Sequence, residues 1–368
     1  MRQPGSRRGH RQRGLRRAGA ARAGAEGAAA HTRPYRGSDG GPHLTRVADR
    51  LDVLVLVDNA TDSLSTTPRN VVPEWPGLVA AGRLPVLSGE AICRAHHGLS
   101  LLITAHVGDE RHTLLFDAGP EGATLVRNAA ILGVDFGAVE VIVLSHGHWD
   151  HGGGLVAAVE AVAGRRPGAP VPCLVHPGMF VQRAIKRPDG VLIVQEPVPE
   201  PERLTGVGAS VQSTRNAQVV GGDVFYVSGE VPRVTRYETG LPGHVKRSAD
   251  GRTWEPDPLI MDERFVSVQV KGRGQFVFSA CSHAGIVNVL THARQTFPSV
   301  PLYGTMGGLH LSGSTEPIIP DTVADLKRFG LGFLAPGHCT GWRALSVLAR
   351  EFGDELAPSA VGKRYLIG

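Results

Sequence analysis

Three histidines and one aspartate lie within six residues near the middle of the chain, in the order His146-Gly147-His148-Trp149-Asp150-His151. Side chains two residues apart at the end of a strand point the same way, so His146 and His148 can converge on one cation. Asp150 and His151 come where the chain turns, and they can face a second cation. Neutral imidazole and carboxylate are suitable ligands for zinc, iron or manganese. The spacing therefore indicates a metal site rather than a polar loop with incidental histidines.

The elements around this cluster are predicted to hold it at the edge of a sheet. The apolar run 141–144 predicts a buried strand before the histidines, and the Ala- and Val-rich segment 155–162 predicts a helix after them. Glycines at 152–154 let backbone and metal approach closely without steric conflict. A strand-to-helix junction of this kind is a usual place for a site in a layered α/β protein.

Strands and helices alternate along the rest of the chain, in two similar halves that each place polar residues at strand ends. This pattern predicts an α/β fold with four layers, helix, sheet, sheet and helix (αββα), and a site at one edge between the sheets. We expect one domain over residues 49–368, with residues 229–262 as a lid over the site. A helix is predicted over 178–186, and loops are predicted over 60–90 and 187–206.

Composition is that of an ordinary soluble protein, with 42% apolar and 20% charged residues, and no apolar run is long enough to span a bilayer. The four cysteines are widely spaced and include no C-x-x-C pair. This argues against a disulfide framework and favours a reduced, cytoplasmic protein.

The net charge of +5 arises from the first fifty residues, which hold 12 arginines and three acidic residues. The rest of the chain carries 27 basic and 31 acidic residues, which argues against a nucleic-acid-binding groove. Residues 1–48 are rich in Arg, Gly and Ala, and we expect a disordered basic tail. A dispensable tail is favoured over a nucleic-acid-binding or targeting arm, so nucleic acid is expected only through this segment, if at all.

The motif His146-x-His148-x-Asp150-His151 after an apolar strand, with Asp117 upstream at the end of its own strand, resembles the metallo-β-lactamase superfamily of metal-dependent hydrolases. The resemblance covers about residues 51–345. It implies an αββα sandwich that holds one or two divalent ions at the sheet edge. The motif is specific for the superfamily and says little about the substrate.

Several further stretches resemble one branch of that superfamily. They are Leu56-Val57-Asp58-Asn59, His97-Gly98-Leu99-Ser100, Cys281-Ser282-His283-Ala284-Gly285-Ile286-Val287-Asn288, Gly307-Gly308-Leu309-His310-Leu311 and Gly337-His338-Cys339-Thr340-Gly341-Trp342. The branch is named after the methanopterin-pathway 7,8-dihydropterin-6-methyl-4-(β-D-ribofuranosyl)-aminobenzene 5′-phosphate synthase, and most of its members have no assigned substrate. One departure is His96, where a glutamate is expected before His97.

The resemblance implies His146 and His148 as ligands of a first metal ion. It implies Asp150, His151 and His338 as ligands of a second, with Asp117 orienting the ligand loop through hydrogen bonds. The remaining ligands are less clear. His283 is favoured as the third ligand of the first ion, with Glu230 as the competitor. Cys281 stands where a bridging aspartate is expected, and a thiolate can serve as a ligand there.

Other histidines and cysteines are judged individually. His310 is an even choice between substrate contact and a structural hydrogen bond, and His97 is slightly more often structural. His176 is expected to be structural, and four further histidines are expected at the surface, namely His106, His112, His244 and His292. The thiols of Cys93, Cys173 and Cys339 are expected to be small buried hydrophobes.

The predicted function is that of a metal-dependent hydrolase that uses a metal-bound hydroxide. Zinc is the favoured ion, because it lowers the pKa of bound water from 15.7 to about 7; iron and manganese fit the same ligands. Asp150 would orient the nucleophile, and His310 or His97 would donate a hydrogen bond to the developing oxyanion. A small phosphorylated, ester or lactone substrate, or synthase-like activity, is expected. The alternative is a non-catalytic metal-binding or ligand-sensing protein; a homo-oligomer is compatible with either.

Overall fold

The computed structural model describes residues 33–34 and 46–368. Most of the predicted tail, residues 1–48, therefore lies outside the described residues. Within that tail, Arg33–Pro34 forms a two-residue strand, β1, which pairs antiparallel with Gln218–Val220.

The first large sheet has eight strands in the described part of the chain and carries the histidine cluster at one edge. In chain order its strands are β2 (Arg50–Val57), β3 (Val71–Val72), β4 (Ser100–Val107), β5 (Glu110–Phe116), β6 (Val139–Val143), β7 (Val171–Val175), β10 (Ala209–Ser213) and β19 (Arg364–Ile367). Their spatial order is β10-β7-β6-β5-β4-β2-β19-β3. Strands β5, β6 and β7 are parallel, so the polar residues that follow β5 and β6 meet at the same edge.

The second large sheet has seven described strands. Besides β1 they are β11 (Gln218–Val220), β12 (Phe225–Val227), β15 (Val266–Val270), β16 (Gly274–Ser279), β17 (Leu302–Gly308) and β18 (Phe333–Gly337). Strands β16, β17 and β18 are parallel and end at the edge that faces the histidine cluster. Cys281, His310 and His338 follow these three strands.

Helices cover the outer faces of both sheets. The helices are α1 (Glu74–Ala80), α2 (Gly122–Leu132), α3 (Trp149–Gly152), α4 (Leu155–Ala163), α5 (Pro201–Gly206), α6 (Ile286–Thr296), α7 (Ile319–Phe329) and α8 (Trp342–Phe352). Among the described residues, none of these helices combines the length and the apolar character that crossing a membrane requires.

Three apolar clusters hold the layers together. Between the sheets, Leu101 and Phe116 of the first sheet pack in one buried cluster with Phe276 and Phe278 of the second. A second cluster buries α2 and α4 against the outer face of the first sheet. A third buries α6, α7 and α8 against the outer face of the second sheet. The predicted αββα sandwich is confirmed.

A small third sheet of four strands lies beside the site, in the order β14-β13-β8-β9. Its strands are β8 (Arg183–Lys186), β9 (Leu192–Val194), β13 (His244–Arg247) and β14 (Trp254–Pro256). The segment 229–262, predicted as a lid, contributes β13 and β14 to this sheet.

Three local predictions are wrong in this part of the fold and near the N-terminus. Residues 178–186 are not a helix, because Pro177–Met179 forms a 3₁₀ turn and the following residues enter β8. The predicted loop 187–206 contains β9 and α5, and the loop 60–90 contains β3 and α1. Strand β8 pairs with β13, about sixty residues away, so local periodicity does not reveal it.

Arg183 of β8 attaches the small sheet to the histidine loop. Its buried guanidinium donates from Nε to Asp257 Oδ2 (3.0 Å) and from Nη2 to Asp262 Oδ1 (2.5 Å). Its Nη1 donates to the carbonyl oxygen of Gly147 (3.1 Å), and Asp262 Oδ2 accepts the Gly147 N–H (2.8 Å). The residue between His146 and His148 is therefore fixed by both members of a buried ion pair.

We predict that Arg183→Leu lowers the free energy of unfolding by about 3–5 kcal/mol, because it leaves the buried carboxylate of Asp262 without its cation and that of Asp257 with Lys246 alone. Arg187→Leu is the matched control, since Arg187 pairs with Asp189 on the surface and is expected to contribute at most about 1 kcal/mol. Urea denaturation measures both. Equal effects of the two substitutions would contradict the prediction.

Candidate metal centre

His146, His148 and His283 bring three ring nitrogens together at the edge between the sheets. Nε2 of His146 lies 3.0 Å from Nδ1 of His148 and 3.0 Å from Nε2 of His283. All three side chains are buried. A deprotonated imidazole nitrogen has one in-plane lone pair, so Nε2 of His146 cannot accept a good hydrogen bond from both neighbours. Three lone pairs directed at one cation fit this arrangement better.

Asp150, His151, His338 and Cys281 form a second group next to the first. Oδ2 of Asp150 lies 3.4 Å from Nε2 of His338 and 3.7 Å from Nε2 of His151. The two Nε2 atoms are 3.2 Å apart, and Sγ of Cys281 lies 3.3 Å from Nε2 of His151. Imidazole, carboxylate and thiolate are all zinc ligands, so this donor set also fits a divalent ion.

One buried carboxylate, that of Asp117, orients rings in both groups. Ser145 donates its hydroxyl proton to Asp117 Oδ2 (2.7 Å), which leaves the Ser145 oxygen free to accept the Nδ1–H of His146 (2.9 Å). The same Oδ2 accepts the Nδ1–H of His151 (2.7 Å). In both rings Nδ1 then keeps a proton and Nε2 faces the centre, the arrangement that metal-ligating histidines require.

Asp58 and Asn59, which follow β2, orient His338 through hydrogen bonds. The Asn59 Oδ1 accepts the Nδ1–H of His338 (3.0 Å), and the Asp58 carboxylate accepts its backbone N–H (3.0 Å). The sequence places both residues at a strand end, and this position is the signal for their role.

Electrostatics differ between the two groups. Burial lowers the pKa of His146, His148 and His283 well below its ordinary value, so these rings are neutral near pH 7. Neutral imidazole is the form that ligates a metal ion.

In the second group, interactions between carboxylates and histidines outweigh the effect of burial on the pKa values. Burial by itself lowers the pKa of His151, but Asp150 and Asp117 raise it to about 9. Burial by itself raises the pKa of Asp150, but His151 and His338 hold it well below its ordinary value. A cation bound here takes the place of the proton on His151, so loading releases a proton and weakens as the pH falls.

Positive φ angles at non-glycine residues are concentrated around the site in the described part of the chain. Four of the six described non-glycine residues with positive φ lie here, namely Asp117, Ser282, His310 and His338. Such residues persist where the surrounding structure fixes them, commonly at functional sites. Gly153 and Gly154 are required for close packing, because a Cβ on them would lie 1.9 Å from the Pro120 oxygen and 2.2 Å from the Ala118 oxygen.

Comparison with known proteins identifies the domain. Residues 94–202 match the family model of the metallo-beta-lactamase superfamily. Over these residues the chain is similar to that superfamily. A crystal structure of a metal-dependent hydrolase of the beta-lactamase superfamily aligns with a TM-score of 0.63 at 22% identity, covering 85% of this chain and 98% of the other, and shows the same fold.

Two curated relatives come from Methanocaldococcus jannaschii. The chain is 25% identical over 273 residues to 7,8-dihydropterin-6-methyl-4-(beta-D-ribofuranosyl)-aminobenzene-5′-phosphate synthase, covering 73% of this chain and 89% of the relative. It is 29% identical over 259 residues to an uncharacterized protein, covering 70% and 88%. These comparisons confirm the prediction of a metallo-β-lactamase-fold enzyme that is similar to the methanopterin-pathway synthase.

His283 and Glu230, the two candidates for the third ligand of the first group, lie in different places. Nε2 of His283 lies 3.0 Å from Nε2 of His146. Glu230 lies elsewhere, because its Oε1 accepts from His176 Nε2 (3.2 Å) and from Arg215 Nη1 (2.7 Å).

Two residues that the sequence analysis places away from the site belong to it, so those predictions are wrong. His244, expected at the surface, stacks on His148 with 5.8 Å between ring centroids, and burial lowers its pKa to about 4. Cys339, expected to be a buried hydrophobe, lies with its Sγ 3.4 Å from Sγ of Cys281. Neither position carries a local signal, because strand pairing and a turn after β18 bring these residues to the site. Cys93 and Cys173 are buried, as expected.

A cavity of about 650 Å³ opens above both groups. At its mouth His97 stacks on Trp149, with 5.8 Å between ring centroids, and its Nε2 lies 3.4 Å from Oδ2 of Asp150. The hydrogen bond to Asp150 raises the pKa of His97. Deeper in the cavity the His310 ring lies 4.7 Å from that of His283, and its buried Nδ1 has no partner among the described residues.

Glu263 is a further residue that the sequence analysis missed. Its buried carboxylate accepts the backbone N–H groups of His283 and Ala284, both at 2.7 Å. It thereby fixes the turn that presents His283. No motif marks Glu263, since it precedes a strand and acts on a segment twenty residues later.

We predict that His148→Ala lowers the zinc content of the reconstituted protein from about two ions to about one per chain, because the first group loses one of three ligands. His292→Ala is the matched control, since His292 lies on α6 against Phe265 and away from both groups. Elemental analysis after zinc loading and desalting measures the content. Full zinc occupancy in the His148 variant would contradict the prediction.

Proposed function

We propose that this protein is a metal-dependent hydrolase with two divalent ions, one at His146, His148 and His283 and the other at Asp150, His151, His338 and Cys281. The observation that carries the proposal is the convergence of ring nitrogens at about 3 Å, with Asp117 accepting the Nδ1 proton of His151 on the far side of its ring. Zinc is the favoured ion, and iron and manganese suit the same ligands.

When bound, such ions supply a Lewis acid and acidify a water molecule at neutral pH. Three side chains of the protein would carry out the proton transfers and hydrogen bonding that the reaction also requires. Asp150 is placed to orient the attacking water and to accept its proton at Oδ2, which lies 3.4 Å from Nε2 of His97. His97, half exposed at the mouth, is placed to donate a proton to the leaving group. His310 is placed to donate a hydrogen bond to the developing oxyanion.

The cavity lining favours a substrate with an apolar non-reacting part. Ile185, Ile193 and Val194 of the small sheet form one wall, and Trp149 lies at the mouth. Among the described lining residues there is no Lys or Arg, and Glu196 adds a negative charge. An extended polyanion would find no cationic side chain along this wall. We therefore propose a small ester, lactone or single phosphoester with an apolar substituent.

The relative that is named as a pterin-linked phosphate synthase supports a second candidate, a synthase-like reaction at the same centre. A non-catalytic metal-binding or sensing role is less favoured, because the ligand groups lie under an open cavity. We keep the cytoplasmic location as a proposal, supported by four cysteines that are all free thiols.

We predict that the zinc-loaded protein hydrolyses at least one member of a panel of aryl phosphodiesters, thioesters and lactones. Asp150→Asn is expected to lower kcat by about 100-fold or more, because the amide cannot accept the proton from water. The His292→Ala variant is again the control and should retain wild-type turnover. No hydrolysis by the loaded wild-type protein, or full activity in the Asp150 variant, would count against the hydrolase proposal.

We predict that Ile193→Ser and Val194→Ser each raise KM for the hydrolysed aryl or acyl substrate by about tenfold, corresponding to about 1.4 kcal/mol of lost apolar contact, with kcat little changed. Both side chains are half exposed, so folding should tolerate the change. Val191→Ser is the matched control, because Val191 is equally exposed next to β9 but does not line the cavity. An equal effect of all three substitutions would show that this wall does not contact substrate.

A further inference from the structure

Two thiols from distant parts of the chain meet at the floor of the cavity. Cys281 follows β16, and Cys339 lies in the 3₁₀ turn His338–Thr340 after β18, 58 positions later. Their Sγ atoms are 3.4 Å apart, and both residues line the cavity above the histidines. Only one of the two sulfurs, that of Cys281, belongs to the proposed ligand set. The ligand set therefore leaves the thiol of Cys339 unexplained.

We propose that Cys281 and Cys339 form an oxidisable dithiol, a modification site that closes to a disulfide when a small hydroperoxide enters the cavity. A disulfide requires a separation of about 2.05 Å between the sulfurs, so the two must approach by about 1.4 Å. Both lie in connections after strand ends rather than inside strands. The absence of a side chain at Gly308 provides room, because a Cβ there would lie 2.6 Å from Sγ of Cys339.

The other two cysteines lack these features. Cys93 is buried near Glu74, which accepts its backbone N–H, and burial raises the pKa of its thiol. Cys173 lies inside β7 in the apolar cluster beneath the helices, and burial raises the pKa of its thiol to about 12. Neither lines the cavity, so neither is expected to meet a small oxidant or a second sulfur.

The chemistry proceeds in two balanced steps. The Cys339 sulfur attacks the terminal oxygen of a hydroperoxide, breaks the O–O bond and becomes a sulfenic acid, while the peroxide leaves as an alcohol or water. The Cys281 sulfur then attacks the sulfenic sulfur, forms the S–S bond and expels water. Overall, two thiols lose two electrons and two protons, and the peroxide gains both.

Formation of the disulfide between Cys281 and Cys339 would change the metal centre. This consequence rests on the proposed function, in which Cys281 is a metal ligand. Sγ of Cys281 lies 3.3 Å from Nε2 of His151, where it serves the second ion as a thiolate. A sulfur in a disulfide carries no charge and is a poor ligand. Oxidation is therefore expected to release the second ion, and occupancy by zinc is expected to slow oxidation.

The test begins with the full, zinc-depleted chain treated with hydrogen peroxide. The expected result is a loss of two of the four titratable thiols, a mass decrease of about 2 Da, and one cross-linked peptide pair containing Cys281 and Cys339, all reversed by dithiothreitol. Cys173→Ser is the control and should still cross-link, whereas Cys339→Ser should not. The proposal would be overturned if Cys281 and Cys339 remained free thiols or were each oxidised separately without forming a bond to one another. A disulfide between either of them and another cysteine would also overturn it.

A second readout separates this inference from the proposed function. The zinc content of the loaded wild-type protein is measured before oxidation and after oxidation with desalting, and a fall from about two ions to about one per chain is expected. If the disulfide forms while the zinc content stays constant, the result supports the oxidisable dithiol and contradicts the proposed role of Cys281 as a metal ligand. The thiol and mass measurements need no substrate, so they test the dithiol whether or not hydrolysis is found.

Discussion

The position of one proton on each ligand histidine is the constraint on which the site depends, and Asp117 fixes it for two of the five rings, those of His146 and His151. A histidine ring can ligate through Nε2 only if Nδ1 keeps the proton, and that proton needs an acceptor in a place without water. Asp117 accepts directly from His151 and, through Ser145, holds the acceptor for His146. Its own backbone has a positive φ of 61°, and the N–H groups of Asp117 and Ala118 donate to the carbonyl oxygens of Val143 (2.9 Å) and His151 (2.8 Å).

The same region couples the cavity wall to the ligand loop. Arg183 belongs to the strand that carries Ile185, and it also donates to the carbonyl oxygen of Gly147 between two ligand histidines. Asp262 completes the link by accepting from both Arg183 and the Gly147 N–H. The wall and the ligand loop are therefore joined by buried charge-assisted hydrogen bonds, which are short and directional. The proposed substrate wall and the proposed ligand loop are thus linked through the side chains of Arg183 and Asp262.

The sequence predicts those parts of the protein that short stretches of chain determine. The strand, histidine cluster and helix over 141–162 are local, whereas the position of His338 at the centre follows only from resemblance to a family. The roles of His244 and Cys339 depend on contacts across about a hundred and about sixty residues, and no local pattern encodes them. The prediction of a helix over 178–186 is wrong for the same reason. Pairing of β8 with β13 and the buried ion pairs of Arg183 determine the conformation of this segment. Periodicity within one segment does not include such partners.

Charge balance explains why the two ligand groups differ in composition. Two dications a few ångströms apart repel strongly in a buried site, so the protein must supply negative charge between or beside them. The first group offers three neutral imidazoles and no anion. The second offers the carboxylate of Asp150 and the sulfur of Cys281, which lies next to His151 where the two groups adjoin. In the proposed two-ion centre, a thiolate at that position would provide the charge that an aspartate otherwise provides, and it would make the second ion dependent on the oxidation state of one sulfur.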